Sequence, residues 1–265
     1  MLPRVDFCGF EVSRLIIGGN PFSGFSHQSG ERDQEMMNYY TVERIKETLR
    51  RAESAGINTT IMRSDNHIHR MLREYYNEGG ALQWIAQVAG DREAPDWGVA
   101  VRRAVAAGAK AAYLHGGVLD ACFADRDAGG FGKLVDVMHE GGVPVGTAGH
   151  SPEAHLWAHE LDLPLDFHVV CFYNCGSLHD GKGEKFKPED PPHAVAAIRE
   201  INKPCIGYKI MAAGRVEPRA AFEYAFANIK PGDCVNVGIY RGDRDDMVEQ
   251  NVALVEDILG GSGRP

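Results

Sequence analysis

The sequence predicts a single (β/α)8 barrel, and three observations carry that prediction. Eight short apolar runs recur along the chain, each ending in polar or glycine-rich residues: 14–19, 58–64, 82–89, 111–117, 144–150, 166–174, 204–211 and 234–240. Helical-looking stretches separate them, so strand and helix alternate, the order that builds a closed parallel barrel. The chain has 265 residues, near the roughly 250 typical of one such barrel, and no linker divides it.

Each element has a local reason. Residues 1–13 alternate apolar and polar as a short hairpin does, placed to plug the bottom of the barrel. The first barrel strand, Leu15-Ile16-Ile17-Gly18-Gly19, is halted by glycine and by Pro21. Residues 22–40 read as a long polar loop above the active-site face. Helix 41–55 has Thr41 as its N-cap, Glu43 in its first turn and Gly56 as its stop. Thr59, Thr60 and Ile61 give the second strand its β-branched character, and His69 and Arg70 open the helix after it.

Further helices are expected at 97–107, 130–140, 152–161, 192–201, 218–228 and 244–259. Several begin with proline in the first turn, where its missing N–H costs nothing. Segment 175–191 is the longest internal loop. It reads as a lid or substrate-recognition element, or equally as a solvated insertion. Residues 260–265 lack packing groups and are expected to form a mobile tail.

Bulk properties narrow the function. The chain is 44% hydrophobic and 25% charged, enough for a sizeable core, and its net charge is -9. That charge argues against non-specific binding to nucleic acid or anionic membranes. No apolar run approaches a membrane span, and residues 1–6 lack the core of a signal peptide. The expectation is a cytoplasmic protein whose partner is a small-molecule substrate, its oligomeric state left open. The six cysteines are scattered and read as reduced core thiols rather than a disulfide or zinc framework. No Walker, GxSxG or HExxH motif occurs, and the glycine pairs at 116–117, 129–130 and 141–142 read as turns.

In a barrel, chemistry sits at the C-terminal ends of the strands. Those ends carry Asn20, Asp65, His67, His115, His150, Asn174 and Lys209. Lys209, near the end of an apolar strand, reads as a neutral amine of lowered pKa or as a charged partner for Asp65 or a substrate anion. His67, His115 and His150 could share one divalent metal with Asp65 or a water. Without metal, His115 and His150 would form a general acid/base pair. Arg63 could clamp an anionic substrate or pair with a rim carboxylate. Asn20, Asn66 and Asn174 are candidates for binding substrate hydroxyl or carbonyl groups. Trp84 and Tyr113 read as core.

Several segments together resemble the aldo/keto reductases. Val12-Ser13-Arg14-Leu15-Ile16-Ile17-Gly18-Gly19 is similar to that family's opening strand, and Ala55-Gly56-Ile57-Asn58 to its turn into the second. Ala112-Tyr113-Leu114-His115-Gly116 resembles the strand bearing the catalytic histidine, and 146–153 the loop after the fifth. Ile206-Gly207-Tyr208-Lys209, with Ala213-Gly214-Arg215, looks like the seventh strand and its loop. Val237-Gly238-Ile239, with Gln250-Asn251, resembles the closing strand and helix. The resemblance implies a barrel fold and NADP-dependent carbonyl reduction by an Asp-Tyr-Lys-His tetrad.

Of that tetrad only His115 is present. Ile61, Asn66 and Gln87 stand where the aspartate, tyrosine and lysine would be. Ala148-Gly149 replaces the Ser-Asn pair that would hold a nicotinamide amide. Arg241 is a candidate for a cofactor phosphate, but Met247 stands where a second basic residue is usual. The leading expectation is therefore a barrel enzyme on a small polar, hydroxylated or carbonyl metabolite, plausibly sugar-like. His115 and His150 would move protons while Lys209 and Asp65 set charge, in isomerase, epimerase or lyase chemistry with or without a divalent metal. The alternatives are a divergent NADP-dependent oxidoreductase and a non-catalytic small-molecule binding protein.

Overall fold

A computed structural model describes residues 1–90, 96–174 and 186–261. The chain opens with an antiparallel hairpin, β1 (Arg4–Phe7) and β2 (Phe10–Ser13). Eight parallel strands follow: β3 (Leu15–Gly18), β4 (Thr59–Arg63), β5 (Gln83–Val88), β6 (Ala109–Leu114), β7 (Val145–Gly149), β8 (Phe167–Cys171), β9 (Cys205–Tyr208) and β10 (Cys234–Gly238). They pair in chain order, and β10 closes on β3. The molecule is a (β/α)8 barrel with an N-terminal hairpin.

The described helices are α1 (Gly30–Tyr39), α2 (Val42–Ser54), α3 (Asn66–Asn77), α4 (Trp97–Ala106), α5 (Gly116–Asp125), α6 (Ala128–His139), α7 (Pro152–Glu160), α8 (Asp190–Glu200), α9 (Pro218–Asn228) and α10 (Met247–Gly261). None is long and apolar enough to cross a membrane.

Strand alternation divides the core in two. Ile16, Ile61, Ile85, Val169 and Ile206 point into the barrel, while Leu15, Ile17, Met62 and Val170 pack under the helices. Both faces are covered, so β3 is buried at every position. The hairpin does plug the barrel: Phe7 and Val12 join the interior cluster, and the Phe7 ring meets Phe167 edge-on at 5.2 Å. Asn58 ties the plug down, accepting from the Ser13 amide at 2.7 Å and donating to the Glu11 carbonyl at 2.9 Å.

Four expectations change. Residues 22–40 are not one loop, because α1 forms there with Ser29 as N-cap and Glu31 and Asp33 in its first turn. Its mostly polar surface disguised it. Helix α5 begins directly after β6, where Gly116-Gly117 had read as a turn. The His115 side chain caps it, Nδ1 accepting from the Gly117 amide at 3.2 Å. Of the expected lid at 175–191, residues 175–185 lie outside the described residues, and Asp190 and Pro191 already belong to α8. Gly260 and Gly261 continue α10 rather than starting a tail, of which 262–265 lie outside the described residues.

Candidate active site

A cleft of about 530 Å³ opens at the C-terminal ends of the strands. Its floor is the last inward-facing residue of several strands: Gln87, Tyr113, Tyr208 and Asn236. Gln87 Nε2 donates to Tyr113 Oη at 3.1 Å. Gly18 leaves room for Asn236, since a Cβ there would lie 2.8 Å from Asn236 Oδ1. From this floor the cleft runs outward past Lys209 to Arg32, Arg244 and Asn251.

The best-defined chemical group is a histidine–carboxylate pair. His150 follows β7, and its Nδ1 lies 2.6 Å from Asp120 Oδ2; its backbone amide donates to Asp120 Oδ1 at 3.0 Å. Burial pushes the Asp120 carboxyl up, but the hydrogen bond and charge of His150 outweigh it and hold it below its usual value. A carboxylate only accepts, so His150 donates to Asp120 from Nδ1, and in the neutral ring it is Nε2 that carries the lone pair.

Tyr208 stands beside it, the two rings 6.1 Å apart and edge-on. Burial, then Cys171, pushes its phenol well above the usual range, so it stays protonated. It donates to the Gly149 carbonyl at 3.2 Å. Lys209 comes one residue after β9, in the left-handed region at φ +54°. Its Nζ lies 5.8 Å from the centre of the Tyr208 ring. The lysine is half-buried, not enclosed as a strand position would have made it. His115 also lines the cleft.

The cleft brings together Asn20, Arg63, His115, His150 and Lys209 from the sequence candidates. The other candidates are elsewhere. Asp65 is the N-cap of α3, accepting from the Ile68 amide at 2.9 Å, with Arg63 Nε 3.8 Å away. Asn66 and His67 are exposed in the first turn of that helix, and Asn66 Oδ1 accepts from Arg103. Both already belong to α3, which carries them away from the mouth. Hence His67 does not join His115 and His150, and no group of three metal-ligating side chains occurs among the described residues. Asn174 lies outside the cleft lining, its amide donating to Asp190 Oδ2 at 3.0 Å at the start of α8.

Arg241 is not poised for a phosphate. It is 4% exposed and bound to Glu47 at 2.8 Å, Asp245 at 2.5 Å and Thr48 at 3.1 Å. Ala148 and Gly149 offer no side-chain group to a carboxamide. The outer groove does hold Arg244 and Asn251. The residues implied for a nicotinamide therefore do not fit at its reactive end.

Sequence reasoning missed Asp120 and Tyr208. Asp120 is hidden because α5 was not expected. Tyr208 stood in the quoted seventh-strand segment, and its position at the strand end was the available signal.

No protein-family model matches the chain, and no curated protein matches it. Solved structures do. Two structures of a Pseudomonas aeruginosa protein described as a candidate aldo-keto reductase are 18% and 19% identical, with TM-scores of 0.66 and 0.67. Each match covers 97% of this chain and 95% or 94% of that one. An aldolase, QR15, matches at 11% identity and TM-score 0.53, over 84% of this chain and 90% of its own. Dihydropteroate synthase from Xanthomonas albilineans matches at 14% and 0.55, over 99% and 100%. At these identities the likeness is one of fold alone, and the fold is shared with barrel enzymes of differing chemistry.

Proposed function

We propose that this protein is an enzyme moving a proton at a carbon next to a carbonyl, on a small hydroxylated metabolite of sugar-like character. The observation that carries the reading is that His150, which lines the cleft, is paired with Asp120. His150 Nε2 takes the proton, and the imidazolium formed is stabilised by the Asp120 carboxylate. The ammonium or amine of Lys209 lies where it can meet the substrate oxygen as its charge develops, beside Tyr208, whose own proton goes to the Gly149 carbonyl. Arg63 and His115 complete the polar wall. Isomerisation, epimerisation and β-elimination by a lyase all begin with this step.

The test is hydrogen–deuterium exchange. The protein is incubated in D2O with aldoses, ketoses and 2-oxo acids, and loss of the α-proton signal is followed by NMR. Exchange in one substrate class, abolished in His150→Gln, is the expected result. No exchange in any class, or exchange indifferent to His150→Gln, overturns the reading.

A second reading is favoured by the length of the cleft, which continues past Lys209 to Arg244 and Asn251. In it the chain is a divergent member of the aldo/keto reductases that still takes a nicotinamide nucleotide, with these two residues at its far end. Quenching of intrinsic fluorescence by micromolar NADPH would favour it over the first.

A further inference from the structure

Behind the cleft wall lies a second pair of histidines that the chemistry above does not use. His155 of α7 and His168 of β8 are 0% and 1% exposed, with their Nδ1 atoms 3.0 Å apart. His155 Nε2 lies 3.4 Å from the Gly149 carbonyl, the same oxygen that accepts from Tyr208 Oη. Gly149 is the residue before His150, and a Cβ on it would lie 2.9 Å from His155 Nε2. On the far side, His168 lines a separate polar cavity of about 300 Å³ with His159, Asp162, Asn202 and Lys203.

The proton positions follow from these contacts. The Gly149 carbonyl can only accept, so His155 carries its proton on Nε2. Its Nδ1 is then an acceptor, and His168 must donate from Nδ1 to fill the 3.0 Å contact. The His168 Nε2 lone pair is left on the cavity side. Both rings are neutral: burial lowers His155 to about 4, against opposing backbone contacts with Gly149 and Val169, and lowers His168 well below its usual value. The charges facing them are Asp120 and His150 for His155, and His159, Lys203 and Lys230 for His168.

We infer that His155 and His168 are positioning residues for the active site. The chain His168 to His155 to Gly149 fixes the carbonyl that orients the Tyr208 hydroxyl, and with it the backbone that delivers His150 to Asp120. An apolar pair of the same volume would fill this space equally well but would leave the Gly149 carbonyl with one donor fewer. Two buried imidazoles, aligned with one proton between them, are costly to desolvate, and that alignment is what a hydrogen-bond chain requires. The inference rests on His150 being the base; its test does not depend on turnover.

The first measurement is ¹⁵N NMR of histidine-labelled wild-type protein between pH 5.5 and 8. Expected are a neutral Nε2–H tautomer for His155 and a neutral Nδ1–H tautomer for His168. The reverse tautomers, or an imidazolium at pH 7 on either, overturn the inference. The second is the His150 titration followed in variants. His155→Phe should move its midpoint by about half a pH unit or more. His155→Gln, whose amide can still donate to Gly149, should restore it. A His155→Phe protein that only loses thermal stability, with the His150 midpoint in place, refutes the positioning role. If His155→Phe does not fold, His168→Phe is read the same way from the opposite end of the chain. The exchange assay with His150→Gln judges the proposed function separately.

Discussion

Asp120 holds His150 at two points, one carboxylate oxygen on the ring Nδ1 at 2.6 Å and the other on the backbone amide at 3.0 Å. The ring bond sets the tautomer and the amide bond sets where the ring stands. Neither bond is local, since thirty residues of chain separate the partners.

Asp120→Asn keeps the shape but offers an N–H where an acceptor was, so the ring is driven toward the wrong tautomer. The expected outcome is a folded protein whose α-proton exchange falls by at least about 100-fold, because the ring nitrogen meant to act as base is now protonated. Exchange rates of the wild type and the variant check this, with circular dichroism as the control for folding.

Stability should fall with pH through the window set by His155. Its folded pKa of about 4 lies below the ordinary 6.5. Between those values the unfolded chain binds a proton that the folded one does not, so acid favours unfolding. The slope is about 1.4 kcal/mol per pH unit for this group, with His168 acting in the same direction. Urea midpoints at intervals from pH 7 to 4 measure it, and His155→Gln should flatten the curve. Asp120 is depressed instead, so its contribution is present above pH 4 and is lost only at lower pH.

Asp65 and His67 should behave as helix-surface residues. Asp65→Ala is expected to lower stability by about 1 kcal/mol through loss of the N-cap, and Asp65→Ser to recover most of it. His67→Ala should stay within about 0.5 kcal/mol of the wild type. Chemical unfolding gives these differences, and α-proton exchange should be unchanged in His67→Ala.

Arg241→Met removes a buried guanidinium joining α2 to the β10–α10 loop through Glu47, Thr48 and Asp245. The loss should be about 1–3 kcal/mol, at the lower end because Glu47 and Asp245 regain water once released. Any affinity for NADPH should be unaltered in this variant, since the side chain faces the helices. Unfolding and fluorescence titrations on the same preparation separate the two effects.

Much of the fold was legible because its signals are short-range. Thr41 as N-cap of α2, the β-branched run of β4 and the prolines opening α7 and α9 each act within a few residues. Helices α1 and α5 were missed where that local code is weak: a mostly polar surface in one, two glycines in the first turn of the other. The cost was direct, because α5 carries Asp120. Three of the site candidates lie away from the cleft for a related reason. Asp65, Asn66 and His67 lie two to four residues past the end of β4, as the cap and first turn of α3, whereas His150 directly follows β7.

By itself the sequence determined the barrel, its hairpin plug and the ring of strand ends where chemistry would sit. Those follow from periodicity and turn residues, which act along the chain. Only the tertiary structure decided which polar side chains meet there. Closing the barrel brings β7 beside α5 and sets Tyr208 across β8 from Gly149, contacts between residues distant in sequence. His150 pairs with Asp120, and two histidines not singled out in the sequence stand behind it, because side-chain convergence is a property of the closed barrel and not of any one strand.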